Sequence, residues 1–309
     1  MKAVATSSAD AVTAAAVARP TVISSRVSDW MELVKVRLSG LVLLTTLSGF
    51  HLASRGVVDW FLLFNALVGT GLLAFGASAL NQFQERHLDA RMKRTAHRPL
   101  PTERMLPETA LWFGAIAAAL GIAYLSITVN VLTAAVGAAT LLTYNLIYTP
   151  MKRFTWLNTI VGAVPGALPP VMGWTAARGS LSPEAWMLFA VLFFWQIPHF
   201  MAIAWLYRED YERGGFVMLP HVDADGRRTG RQAVWQSAAL LVASVWPVLA
   251  GLAGSIYLIS ALLLGAMMVW ASWRFRRELT QAAARRLFLA SIAYLPLLLA
   301  LLALNKLKE

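Results

Sequence analysis

The chain of 309 residues is 58% hydrophobic and only 14% charged, whereas roughly 25% of the residues of an ordinary soluble domain are charged. Soluble cores of this length cannot bury so much apolar surface, and disorder requires low hydrophobicity. The net charge of +11 does not indicate nucleic-acid binding, because the basic residues alternate with long apolar runs. The absence of cysteine excludes disulfides and thiolate metal sites. These features predict an all-α polytopic membrane protein.

Nine apolar runs are long enough to cross a bilayer, for which a helix needs about 20 residues. Residues 1–28, rich in Ala, Ser and Val, are predicted to form a disordered cytoplasmic tail, and residues 29–309 a single membrane domain. A mitochondrial presequence is the alternative interpretation of the tail. The runs at 111–148 and 234–271 are each counted as two spans. Counting either or both of them as one span would reduce the total to eight or seven. The nine predicted spans are 38–54, 60–84, 108–128, 130–149, 155–175, 184–206, 232–252, 254–272 and 287–305.

The distribution of basic residues supports the count of nine. If the N-terminus is cytoplasmic, 23 of the 27 Lys and Arg residues fall on the cytoplasmic side. Membrane proteins concentrate Lys and Arg in their cytoplasmic loops. Adding or removing one span would destroy this alternation, so the pattern predicts nine spans with the N-terminus inside.

The first long cytoplasmic segment carries a row of oxygen ligands. Asn81, Glu85 and Asp89 are spaced four residues apart, which places them on one helix face. Mg²⁺ binds one or two carboxylates and leaves its other positions to phosphate oxygens and water. Arg94 and Arg98 follow and have the geometry to hold phosphate. The alternative is a helix end with ordinary ion pairs and topology-determining arginines.

Further polar candidates follow other spans. Asp210 lies in the second acidic loop, directly after the sixth span, and the basic pair Lys152 and Arg153 follows the fourth. The basic pair would either satisfy the topology rule alone or reach a diphosphate between the two acidic loops. His199 lies deep in the sixth span, where an imidazole either ligates a metal such as haem iron, acts as a base, or bonds a neighbouring helix.

Together these features predict an apolar intramembrane chamber beneath a Mg²⁺–phosphate site. A ligand with a diphosphate head and a long hydrocarbon tail, such as an isoprenoid diphosphate, suits such a chamber. Mg²⁺ and basic groups would stabilise the departing diphosphate, and the dry chamber would protect an allylic cation.

Five strings of the sequence carry a family resemblance. They occupy Asn81–Pro101, Tyr148–Arg153, Asn158–Pro170, Trp195–Phe200 and Tyr207–Pro220. They resemble the intramembrane UbiA-type prenyltransferases, and more narrowly their haem branch, the protohaem IX farnesyltransferases. The R-T-x-x-R-P-L-P extension of the first string and the P-H-F and M-L-P segments are specific to that branch. The resemblance covers about residues 30–305.

The resemblance implies nine helices around a central cavity with a cytoplasmic cap. It implies farnesyl transfer from farnesyl diphosphate to a vinyl group of haem B, followed by addition of water to give haem O. It further implies Mg²⁺ as cofactor. The implied residues are Asn81, Glu85, Asp89 and Asp210 as catalytic residues and Mg²⁺ ligands, Arg94, Arg98, Lys152 and Arg153 for diphosphate, His199 as the haem contact, and Asn158 and Tyr148 as further cofactor-binding residues.

The resemblance also implies partners and a location. These are the lipid bilayer, both substrates and, downstream, haem A synthase or oxidase assembly factors, with no nucleic acid. The location is the bacterial inner membrane, with the mitochondrial inner membrane as the alternative. Leu206 stands four residues before Asp210, so the usual D-x-x-x-D pair is missing and the number of Mg²⁺ ions stays open. The rival functions are prenyl transfer to a quinone-type aromatic acceptor and transport of an amphiphile.

Overall fold

The computed structural model describes residues 26–307, which are helical apart from short connections and one isolated antiparallel bridge between Ala253 and Lys306. A π-helical turn, Thr143–Tyr148, joins two of the helices. The helices are α1 (Arg26–Leu33), α2 (Val36–Ala53), α3 (Trp60–Asp89), α4 (Pro107–Thr128), α5 (Val131–Leu142), α6 (Thr149–Met151), α7 (Asn158–Ala167), α8 (Pro169–Arg178), α9 (Pro183–Leu206), α10 (Arg208–Gly214), α11 (Leu219–Val222), α12 (Arg227–Leu249), α13 (Ser255–Glu278) and α14 (Gln281–Leu304).

Nine segments of this described region are long and apolar enough to span a membrane. They are α2, α3, α4, the continuous segment from α5 to α6, the pair α7–α8, and α9, α12, α13 and α14. Each corresponds to one predicted span, so the predicted count is confirmed. The tail predicted for residues 1–28 lies, up to residue 25, outside the described residues. Helix α3 extends beyond its predicted span to Asp89, so the acidic row stands on one continuous helix.

The fifth span is the most buried of the nine and is broken in its middle. Helix α7 ends at Ala167 and α8 begins at Pro169, with Leu168 between them. Proline lacks the backbone N–H that would continue the helical hydrogen bonds. Three prolines, Pro165, Pro169 and Pro170, lie within six residues around this break. Irregular backbone at membrane depth is tolerated where protein surrounds it or where it lines a cavity. The break therefore fits a central position in the bundle.

Helices α2 and α8 touch backbone to backbone. A Cβ atom built on Gly173 would lie 1.9 Å from the carbonyl oxygen of Thr46, and one on Gly49 would lie 2.0 Å from that of Pro170. Small residues allow such close approach, which supplies van der Waals packing in a membrane interior where the hydrophobic effect does not drive helix association. The contact fixes α8, and with it one wall of the central cavity, against α2.

Replacing Gly173 with alanine is therefore expected to force α2 and α8 apart. Overpacking of this kind costs about 1–3 kcal/mol, and the apparent Tm of the detergent-solubilised protein should fall. The matched control is Gly40→Ala, because a Cβ there meets nothing within 4 Å. An unchanged Tm for Gly173→Ala would contradict the role assigned to this contact.

Candidate active site

The last turns of α3 carry a buried polar row at one end of the bundle. Asn81, Glu85 and Asp89 are only 1%, 6% and 1% exposed, respectively. Their spacing places them on one face of the helix. Charged groups are rarely buried unless they are paired, so the partners of this row define the site.

Three basic side chains from three other segments pair with the row. Lys152 Nζ donates to Glu85 Oε1 at 2.8 Å, and Arg98 Nη1 donates to Asp89 Oδ2 at 2.6 Å. Lys35 Nζ donates to Asn81 Oδ1 at 2.7 Å. Three basic groups thus face two carboxylates, and protonation of all three leaves a local excess of positive charge suited to an anionic ligand.

Lys35 is a site residue that the sequence analysis did not identify. It lies between α1 and α2 with a left-handed backbone, φ 49°, a conformation that is uncommon for residues other than glycine. In the sequence it was counted only among the cytoplasmic basic residues. Nothing in its spacing relates it to Asn81, which follows 46 residues later.

The electrostatics of the two lysines differ. Burial, together with repulsion from Arg98 and Lys152, lowers the pKa of Lys35 to about 7. Burial acts in the same direction on Lys152, but attraction to Glu85 outweighs it and raises the pKa of Lys152 above its usual value. A bound polyanion would favour the charged form of both side chains.

The oxygen row fits a divalent cation completed by a phosphate ligand. Asp89 Oδ1 is buried and has no hydrogen-bond partner within residues 26–307. Asn81 Oδ1 and Glu85 Oε1 already face cationic ammonium groups. In the same region no three Asp, Glu, His or Cys side chains form a ready metal cage. Mg²⁺ takes one or two carboxylates and completes its shell with phosphate oxygens and water, and Glu85 and Asp89 are the carboxylates that this row would offer it.

The polar row and its three basic partners, Lys35, Arg98 and Lys152, form a polar mouth. An apolar chamber of about 280 Å³ lies deeper in the bundle than this mouth. Its wall includes Tyr144 and Tyr148, whose ring centroids are 5.5 Å apart. Lys152 Nζ lies 4.5 Å from the ring centroid of Tyr148. The π-helical turn brings Thr149 under the polar row, where its hydroxyl accepts from Asn81 Nδ2 at 3.1 Å. Single π turns are frequent at functional sites.

The predicted ligand Asp210 has a different set of contacts. Its Oδ1 accepts from the backbone N–H of Lys93 and from Arg213, and its Oδ2 accepts from the N–H of Arg94. Burial acts to raise the pKa of Asp210, but these bonds hold it below its usual value. Asp210 therefore anchors the loop that carries Arg98.

Three other predicted residues lie around the mouth rather than in it. Arg94 is exposed and stacks over the rings of Tyr207 and Tyr211 at 5.3 and 5.1 Å. Arg153 is exposed over the ring of Phe154. Asn158 Nδ2 donates to Val217 O at 2.8 Å, which ties the start of α7 to the connection between α10 and α11.

His199 does not line the chamber in the described structure, where α9 contributes Gln196 and Phe200 instead. Its ring is stacked on Trp195 and Phe288 at 5.1 and 5.2 Å, and Nδ1 lies 2.8 Å from Ser291 Oγ. The arrangement is that of a histidine held against α14. Gln196, three residues earlier, is the polar residue of this string that reaches the chamber.

Known proteins share this architecture and sequence. The chain is 46% identical over 287 residues to the protohaem IX farnesyltransferase of Solibacter usitatus, covering 90% of this chain and 98% of the relative. It is 45% identical over 302 residues to that of Koribacter versatilis, covering 94% and 97%.

Solved structures share the fold at low identity. The digeranylgeranylglyceryl phosphate synthase structure matches with a TM-score of 0.77 at 15% identity, over 90% of this chain and 98% of that one. A UbiA homolog from Archaeoglobus fulgidus bound to DMAPP and Mg²⁺ matches at 0.62 and 15%, over 88% and 99%. The model of the UbiA prenyltransferase family matches residues 42–295. The chain therefore belongs to the UbiA prenyltransferase family.

Proposed function

We propose that this protein transfers the farnesyl group of farnesyl diphosphate to a vinyl group of haem B, with addition of water, giving haem O and diphosphate. The observation that carries the prenyl-transfer part is the position of the charged mouth over the apolar chamber. The choice of haem and farnesyl is supported by the names of the relatives and by the haem-branch strings.

The mouth provides the groups that a diphosphate leaving group requires. Asn81, Glu85 and Asp89 would hold Mg²⁺, which supplies Lewis-acid stabilisation of the negative charge that develops on diphosphate. Lys35, Lys152 and Arg98 converge on the same row and would bind the remaining oxygens. Preorganised charges of this kind act strongly where water is excluded.

The chamber provides the environment that an allylic cation requires. Its wall is predominantly apolar, and the rings of Tyr144 and Tyr148 stand at its cytoplasmic end. The face of an aromatic ring attracts a cation, so these two rings would stabilise positive charge at C1 of the farnesyl group. Exclusion of bulk water prevents simple hydrolysis of the diphosphate.

The experiment that tests this function uses purified protein in nanodiscs with haem B, farnesyl diphosphate and Mg²⁺. The porphyrins are extracted and analysed by mass spectrometry for haem plus one farnesyl group plus one water. We expect such a product, and we expect EDTA to abolish it. Prenylation of 4-hydroxybenzoate without any haem product would instead establish the quinone-type rival.

Asp89→Asn and Glu85→Gln are expected to lower kcat/KM by about 100-fold, equivalent to about 2.7 kcal/mol of transition-state stabilisation. The Mg²⁺ concentration giving half-maximal rate should also rise, because each change removes a charged oxygen ligand. Asp225→Asn is the control, since Asp225 is an exposed carboxylate paired with Arg227. Mg²⁺ dependence identical to wild type in both site variants would refute the metal assignment.

The variant Asp210→Ala tests whether Asp210 anchors the loop that carries Arg98 or binds Mg²⁺ directly. Loss of the bonds to the backbone of Lys93 and Arg94 should loosen the loop that carries Arg98. We expect KM for farnesyl diphosphate to rise about tenfold, the loss associated with roughly 1.4 kcal/mol of binding, with kcat less affected. A large shift in the half-maximal Mg²⁺ concentration would show that Asp210 is instead a metal ligand.

We also propose that the protein lies in a bacterial inner membrane with its N-terminus and its charged mouth in the cytoplasm. The nine apolar spans support a multi-pass protein, and the excess of Lys and Arg on one side supports the orientation. Haem A synthase or oxidase assembly factors would then receive the product within the same membrane. Farnesyl diphosphate, a charged and soluble-headed substrate, would enter from the cytoplasmic side.

The orientation can be tested by cysteine labelling, because the natural chain contains no cysteine. Ser180→Cys and Ala224→Cys are both at exposed positions in connections on opposite sides. A membrane-impermeant maleimide applied to intact spheroplasts should label only the variant at 180, and permeabilisation should expose 224. The reverse pattern would invert the topology.

A further inference from the structure

Gln196 is a polar side chain whose oxygen has no partner in the wall of the chamber. It lies on α9 and is 5% exposed. Hydroxyl groups of membrane helices commonly bond back to a carbonyl of the preceding turn, as that of Thr140 in the same wall does. Within residues 26–307 no donor reaches Gln196 Oε1, so this acceptor is free for a ligand.

The orientation of the Gln196 amide is fixed by its nitrogen. Nε2 donates to Leu192 O at 3.0 Å and to Ala163 O at 3.3 Å, so the nitrogen must face these two carbonyls. The oxygen points towards Gly166, where a Cβ would lie only 1.9 Å from it. A glycine at 166 therefore leaves the space that the amide oxygen occupies.

The helix rise places Gln196 at about the same depth as Asn81 of the polar row. Leu88 of α3 packs against a buried cluster that contains Ala204 of α9. Asn81 is seven residues before Leu88, and Gln196 is eight before Ala204. At 1.5 Å per residue both lie about 10–12 Å below this level. Gln196 is thus level with the diphosphate end of the chamber.

A second polar group near this depth belongs to α3. Ser78 lines the same chamber, and its hydroxyl makes no hydrogen bond within the described part of the chain. Three residues separate it from Asn81, or about 4.5 Å along the helix. A bound water needs at least two polar partners. The amide oxygen of Gln196 would accept a hydrogen bond from such a water, and the hydroxyl of Ser78 would donate one to it or accept one from it.

We propose that Gln196 positions the water that completes the reaction. The inference rests on the proposed function. When the C1–O bond of farnesyl diphosphate breaks, its electron pair leaves with diphosphate. The vinyl π electrons then form the new bond to C1 and leave a cation at the vinyl carbon next to the porphyrin ring. A lone pair of the water held by Gln196 Oε1 forms the C–O bond, and the released proton passes to diphosphate.

This role predicts a change in product and not merely a slower enzyme. Without a positioned water the cation loses a proton from the adjacent carbon, which gives a farnesylated haem lighter than haem O by one water. In Gln196→Leu the ratio of this alkene to haem O should rise about tenfold, the rate effect of one lost hydrogen bond. Mass spectrometry of the extracted porphyrins measures the ratio directly.

Two further variants separate water positioning from a structural role of the amide. Gly166→Ala keeps the glutamine but displaces its oxygen, so it should raise the same ratio. Gln82→Leu is the matched control, because Gln82 Nε2 also donates to two carbonyls, at 2.8 Å each, but does not line the chamber. Its product ratio should equal that of wild type.

The outcomes distinguish this proposal from the function on which it rests. Haem O from wild type, with an unchanged product ratio in both Gln196→Leu and Gly166→Ala, would overturn the role of Gln196 alone. Failure of the wild-type protein to farnesylate haem at all would overturn the proposed function. A raised ratio in Gln82→Leu equal to that in Gln196→Leu would also overturn the proposal, because it would then follow from general loosening.

Discussion

The mutual pairing of buried charges at the C-terminal end of α3 is the constraint on which the active site depends. Glu85 and Asp89 are almost fully inaccessible, and an unpaired buried charge costs several kcal/mol. Their partners come from the segment after α6 and from the loop after α3, and Lys35 reaches Asn81 from the α1–α2 junction. Two distant segments and the adjacent loop must therefore meet the end of α3 for its buried carboxylates to be compensated.

The same pairing shapes the site for a ligand that carries both signs of charge. A magnesium–diphosphate complex offers a cation to the oxygen row and oxygens to the surrounding lysines and arginine. Binding exchanges one set of partners for another, so that no buried group loses its compensation. Within residues 26–307, Oδ1 of Asp89 is a buried acceptor of this row that has no hydrogen-bond partner.

The sequence predicted the features that depend on local spacing. Hydropathy and basic-residue placement gave the nine spans, since each span is a local property of about 20 residues. The four-residue spacing placed Asn81, Glu85 and Asp89 on one face because a single helix carries all three. The basic residue Lys152 was a candidate because it directly follows a span. These predictions required no knowledge of which helices are neighbours.

The features that depend on tertiary neighbours could not be predicted in this way. Lys35 joins the site only because the α1–α2 junction packs over α3. His199 and Gln196 lie three residues apart on α9, and their directions differ by about 60° around the helix at 3.6 residues per turn. Which of them enters the chamber depends on where α7 and α14 pack, and that arrangement directs Gln196 towards Gly166 and His199 towards Ser291.

The chamber must meet two opposing chemical demands. An allylic cation survives only where bulk water is excluded, yet haem O formation consumes one water molecule after the new carbon–carbon bond exists. A uniformly apolar wall would satisfy the first demand and fail the second. Confining a free acceptor to a glycine-bordered position near the mouth satisfies both, because a single water held by hydrogen bonds is oriented by the protein rather than free to attack C1. The dry chamber and the position of Gln196 thus act together. Exclusion of bulk water lets the carbon–carbon bond form first, and the single water held by Gln196 then forms the carbon–oxygen bond.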